Sequence, residues 1–108
     1  MFCAGLWDME TEAMSITGEL GKDVKITCSH TNAFYNVKYF CKEACRNEDV
    51  LISSGNKDSN GKYSIRDEGN TFYVTIFGLT KDDSRTYWCE IERLGFDTYN
   101  EVILTVRG

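Results

Sequence analysis

Apolar and polar residues alternate along most of this chain in short runs, each closed by a turn signal. Val24-Lys25-Ile26-Thr27-Cys28 sets the pattern, with one side apolar and the other polar, as in a half-buried strand. The same period predicts strands from Met14 toward a glycine-bearing turn at 18–22, then at 23–29, 37–42, 49–54, 62–67, 71–77, 85–92 and 98–106. Polar and aromatic linkers separate them: His30 to Asn36, the hairpin Gly55 to Gly61, the turn Glu68-Gly69-Asn70, and Leu94-Gly95-Phe96-Asp97. Alternation turns Phe40, Phe72, Val74, Ile76, Tyr87, Cys89, Ile91, Val102, Leu104 and Val106 inward, with Leu79 closing the lower end. Val37, Tyr39, Cys41, Trp88 and Glu90 then face outward. The expected class is all-β, a sandwich of two antiparallel sheets.

Two lysines fit this pattern awkwardly. Lys38 and Lys42 share the inner face of their strand with Phe40. The stem of Lys38 is expected to run along apolar surface and hold its ammonium in solvent. Lys42 is expected to reach an acidic group near the lower rim. At the opposite face, Cys41 and Cys45 sit across a short turn, and a bridge between them would hold the bend between the third and fourth strands; two free thiols are the alternative.

The most informative stretch is Lys81-Asp82-Asp83-Ser84-Arg85-Thr86-Tyr87-Trp88-Cys89. A Tyr two residues before a Cys resembles the tyrosine corner of an immunoglobulin variable-type domain, a Greek-key sandwich. Such a domain bridges its sheets with this Cys and one about sixty residues earlier, which predicts Cys28–Cys89. The residue expected beside that bridge is usually Trp, and here it is Phe40. Lys62 or Arg66 is expected to pair with Asp83, at the residue before the corner. With the strand count of a variable-type sandwich, including room for a short extra strand after the fourth, residues 14–108 form one domain behind a flexible segment at 1–13.

Composition narrows the function. The chain has 108 residues, a size suited to one sandwich. A net charge of -5 argues against nucleic acid, whose phosphates need a basic surface. No apolar run approaches the roughly 20 residues that span a bilayer, so any anchor is expected outside these residues. Five Cys favour an oxidising compartment. Cys3 is the odd one, either a free terminal thiol or a link to another chain. The single His30 forms no metal-ligand spacing with the cysteines and no triad with a placed nucleophile, so no enzyme is expected. Paired acids at Glu48/Asp49 and Asp82/Asp83 read as solvated turns.

Three stretches together resemble one group of receptors: Val37-Lys38-Tyr39-Phe40-Cys41-Lys42 with Cys45 behind it, Lys62-Tyr63-Ser64-Ile65-Arg66-Asp67, and Asp82 to Cys89. The group comprises the polymeric immunoglobulin receptor, the leukocyte mono-immunoglobulin-like (CMRF-like) receptors and the novel immunoglobulin-like transcript receptors. Phe40, and Arg85 where the pattern has Gly, depart from it. The resemblance implies the extracellular part of a single-pass cell-surface immune receptor, with a second disulfide between the third and fourth strands. It also implies ligands at the loop tips, either membrane lipid head groups or a protein such as immunoglobulin. Phe34, Tyr35, Leu94 and Phe96 are the tip residues, and they either fold back on the sandwich or enter the ligand. Calcium near the third loop is also implied for some relatives, which makes Glu92 and Asp97 its nearest oxygen ligands; otherwise no cofactor is expected. A second surface is the outer sheet face with Tyr39, Trp88 and Tyr99. It would serve homophilic adhesion or a weak homodimer, unless Trp88 simply covers the second disulfide.

Overall fold

A computed structural model describes residues 13–56 and 58–108. Expectations for the segment before residue 13, Cys3 included, lie outside the described residues. The described residues form eight strands: β1 Met14–Glu19, β2 Val24–Ser29, β3 Lys38–Lys42, β4 Val50–Ser53, β5 Tyr63–Asp67, β6 Thr71–Ile76, β7 Arg85–Ile91 and β8 Thr98–Arg107. One sheet has the order β1-β8-β7-β3-β4, the other β2-β6-β5. All pairings are antiparallel but one: β1 runs parallel to β8, from Met14 beside Val102 to Glu19 beside Arg107. Among the described residues, no extra strand follows β4. Ser59 makes a single bridge to Ser64 there.

Alternation places the core correctly. Ile26, Phe40, Phe72, Val74, Ile76, Leu79, Tyr87, Ile91, Val102, Leu104 and Val106 are all buried between the sheets. The Cys28–Cys89 bridge crosses from β2 to β7 with 6.3 Å between Cα atoms. Phe40 is paired with Cys89 in the ladder, and its ring stacks on Tyr87 at 5.0 Å. A Phe with a stacked Tyr thus fills the place beside the bridge where Trp is usual. A Cβ at Gly18 would meet the end of the Leu79 side chain and force it to shift.

The lower corner is built as the sequence implies. The Tyr87 hydroxyl donates to the Asp83 carbonyl at 2.7 Å. Asp83 ends the short 3-10 turn Lys81–Asp83, where its carboxylate accepts from the Thr80 N–H at 2.8 Å. Lys62 supplies the cation at 2.8 Å, while Arg66 pairs with Glu68 instead. Arg85 pairs with Glu43 across the sheet at 3.4 Å. Lys42 forms no ion pair among the described residues, contrary to the expectation of an acidic partner.

Burial pushes the Asp83 carboxyl up, but Lys62 and the Thr80 donors outweigh it and hold the group below its ordinary 3.8. A depressed folded-state value contributes stability above the unfolded value and loses it as pH falls through the folded one. Asp83→Asn is therefore expected to cost about 1 kcal/mol at neutral pH. It should also flatten the decline in stability below the carboxylate range. Urea melts between pH 7 and pH 2 check both, and an unchanged acid limb would exclude the pair as its source.

Lys38 departs from the sequence reading. Its side chain is 0% exposed, and its ammonium does not reach solvent. It donates to Asp67 at 2.9 Å and to the Asn36 carbonyl at 2.7 Å. The position lies beneath loops that close over the upper end, so no path to water remains along the stem. A buried ammonium must then find acceptors inside the protein.

Candidate functional site

The upper rim is assembled from three segments: residues 30–37, the β5–β6 turn, and residues 92–97. Arg93 clamps two of them. Its guanidinium donates to the Asn32 carbonyl at 2.8 Å, the Thr31 carbonyl at 2.9 Å and the Thr98 hydroxyl at 3.0 Å. Its own N–H donates to Asp97 at 3.1 Å. Asn36 adds a bond from its side-chain amide to the Glu92 carbonyl at 2.7 Å, and Lys38 ties Asn36 to Asp67 below. Asn70 caps the Ala33 N–H at 2.8 Å, and Ala33 itself is buried. The loops are thus fixed by side chains that alternation cannot reveal.

On this frame the apolar tips stand in solvent. Leu94 is 100% exposed, Tyr35 93%, Phe96 71% and Phe34 57%. Of the four, Phe34 folds back furthest. Its ring lies over Gly69, whose φ of +98° and lack of Cβ leave room for it, and Tyr35 meets it edge-on at 4.9 Å. Gly95, at φ +88°, makes the turn that separates Leu94 from Phe96. Folding back therefore accounts for part of Phe34 and for none of Leu94.

His30 begins the first of these rim segments. Burial, with Arg93 and Lys38 nearby, holds it below its ordinary 6.5. Its Nε2 is buried without a hydrogen-bond partner among the described residues, while its ring stacks on Phe72.

Glu92 and Asp97 line one shallow cavity of about 260 Å³ with Tyr39, Cys45, Asn47, Val50 and Glu90. Each is already engaged: Glu92 accepts from the Tyr39 hydroxyl, and Asp97 from the Arg93 N–H. The Glu92 bond is the main reason the Tyr39 phenol is pushed up to about 12. Among the described residues, neither acid belongs to a trio of metal-ligating side chains within 4.8 Å of one another. Glu90 differs from expectation. It faces outward from β7 but is buried, and burial followed by the neighbouring Asp97 carboxyl pushes it up to about 7.

The same face carries Trp88 and Tyr99, 6.4 Å apart and edge-on. Trp88 stands opposite Cys41 in the ladder, and its indole N–H donates to the Glu43 carbonyl at 3.0 Å. With Glu43, Ala44 and Cys45 the two rings line a groove of about 270 Å³. The Cys41–Cys45 bridge is present, with 5.1 Å between Cα atoms. Glu43 and Cys45 both adopt left-handed backbone, at φ 57° and 58°, in the turn that it closes. Trp88 thus pins that turn as well as flanking the bridge.

Two sheets in this order, joined by a core disulfide above a tyrosine corner, define a variable-type immunoglobulin sandwich. The model of the immunoglobulin V-set domain matches residues 11–107, and the chain belongs to that family. Similar proteins include CMRF-35-like molecule 4 of Mus musculus, 32% identical over 104 residues that cover 85% of this chain and 46% of the relative. CMRF35-like molecule 2 of Homo sapiens is 34% identical over 88 residues, covering 72% of this chain and 42% of the relative. The chain thus spans less than half the length of either. Among solved structures, the second immunoglobulin domain of the mouse polymeric immunoglobulin receptor superposes with a TM-score of 0.75 at 24% identity. It covers 90% of this chain and 98% of its own.

Proposed function

We propose that this domain is the extracellular recognition module of a cell-surface immune receptor, and that it binds lipid head groups through its loop tips without catalysing a reaction. The observation that carries this reading is the full exposure of Leu94, with Phe96 and Tyr35 also exposed, on loops that Arg93 ties together. Exposed apolar side chains grouped at one end mark an interaction surface. The hydrogen bonds that already join these loops lower the ordering cost of binding. An apolar tip can enter the interface while loop carbonyls and side chains meet the head groups. Similarity to CMRF35-like molecules supports the receptor reading.

The second reading is immunoglobulin binding, supported by likeness to a domain of the polymeric immunoglobulin receptor. The first loop, residues 30–36, carries no Lys or Arg, which favours the lipid reading. Sedimentation with liposomes of defined head groups tests the choice. Leu94→Ser with Phe96→Ser is expected to weaken head-group-selective binding by tenfold or more, since two buried apolar side chains contribute about 3 kcal/mol together. Its melting temperature should be unchanged, because both side chains are already in solvent. Retained binding by this variant would overturn the tip assignment. A calcium-dependent arm, run with chelator, assigns Glu92 and Asp97 a ligand role only if binding is lost.

A further inference from the structure

We infer that reduction of the Cys41–Cys45 bridge creates a zinc site formed by the two thiolates and the Glu90 carboxylate. The bridge holds the two sulfurs together, and the Glu90 carboxylate lies within 4.8 Å of both. Glu90 Oε1 is 3.2 Å from Cys45 Sγ and 3.9 Å from Cys41 Sγ. Glu90 is buried although β7 turns it outward, and the bridge offers it no proton to accept. Tyr99 stands opposite it in the β7–β8 ladder, and Asp97 lines the same cavity. A buried carboxyl aimed at two sulfurs is poor company for a disulfide and a good third ligand for a cation. Three residues between the thiols is within the range for zinc ligands, and two thiolates select a soft cation over calcium. The adjoining acidic cavity, lined by Glu92 and Asp97, provides an entry path and room for water in a fourth position.

The chemistry balances with a dithiol as reductant. One thiolate of the dithiol attacks Cys45 Sγ, the more exposed sulfur residue of the pair, and Cys41 leaves as thiolate. The second thiol of the reductant resolves the mixed disulfide and ends as a cyclic disulfide. The protein gains two thiols, and zinc releases their protons to solvent on binding. Cys28 and Cys89 are both buried in the core, so the reductant meets the Cys41–Cys45 bridge first.

The test uses the folded domain carrying Cys3→Ser, reduced with dithiothreitol, desalted without oxygen and titrated with cobalt(II). One equivalent should bind with thiolate-to-cobalt absorption, and zinc should displace it. The oxidised protein should give no such band. Glu90→Gln should keep the band while weakening affinity about tenfold or more. Alkylation and mass mapping identify which cysteines have opened. Absence of the band once Cys41 and Cys45 are open would overturn the site. So would the same band in a reduced Cys41→Ser/Cys45→Ser variant, since only the core thiols remain there.

Discussion

Paired alanine substitution of Cys28 and Cys89 is expected to lower stability by about 4 kcal/mol, the largest loss from any bridge in the domain. The bridge closes a loop with a sequence separation of 61. Constraining so long a loop removes much of the freedom of the unfolded chain, about 4 kcal/mol by the loop-entropy relation. The bridge at Cys41–Cys45 has a separation of 4, for which the same relation gives about 2 kcal/mol. Against a total of about 5–15 kcal/mol for a domain of this size, losing the core bridge leaves a marginal fold. Paired alanines at 41 and 45 should leave the fold cooperative. Urea melts of both variants decide the matter, and equal losses would contradict the ranking. Cys28 and Cys89 are both buried in the core while Cys45 is part-exposed, which makes the core bridge the harder of the two to reduce.

Asp67→Ala is expected to cost about 3 kcal/mol and to lower the melting temperature by roughly 10–15 °C. The substitution removes the carboxylate that both contacts the Lys38 ammonium at 2.9 Å and accepts from the Gly69 N–H. Lys38 is fully buried and would keep only the Asn36 carbonyl as acceptor. An ammonium stripped of its counter-charge inside a protein is far costlier than the same site without the charge. Lys38→Met on the Asp67→Ala background should therefore recover most of the loss, since the methionine stem fills the same apolar passage. A double-mutant cycle measures the coupling. If the double variant is no more stable than Asp67→Ala alone, the ion pair is not the cause. The rim gives a second readout: Asn36 bonds both Lys38 and the Glu92 carbonyl, so Asp67→Ala should also speed hydrogen exchange at residues 30–37.

Lys38 also marks the limit of what alternation can say. Period-two patterning assigns a face to each side chain and is silent on depth. Alternation puts Lys38 on the inner face beside Phe40, where it lies, but its ammonium is sealed between the nearby Asn36 carbonyl and Asp67, which comes from the far end of β5. Glu90 fails the same way on the other face. It points outward, yet the Cys41–Cys45 turn and the Asp97 loop cover it. The clamp of Arg93 on the first loop spans 61 and 62 residues of sequence and has no local signature.

By itself the sequence determined the strands and the inward set from Phe40 to Val106, because these depend on short-range periodicity; the tyrosine corner and the Cys28–Cys89 bridge came from resemblance to variable-type immunoglobulin domains, and Cys41–Cys45 stayed a choice between a bridge and two free thiols that the resemblance tipped toward the bridge. It also determined which apolar residues occupy the loop tips, since Phe34, Tyr35, Leu94 and Phe96 fall between strands. Only the tertiary structure decided that Leu94 and Phe96 stay in solvent while Phe34 leans on Gly69. It alone chose Lys62 over Arg66 for Asp83, and it alone set Glu90 against two sulfurs. The physical reason is common to all of these. Burial and ion pairing are set by groups that converge from several strands and loops, and those distances exist only after the sheets have packed.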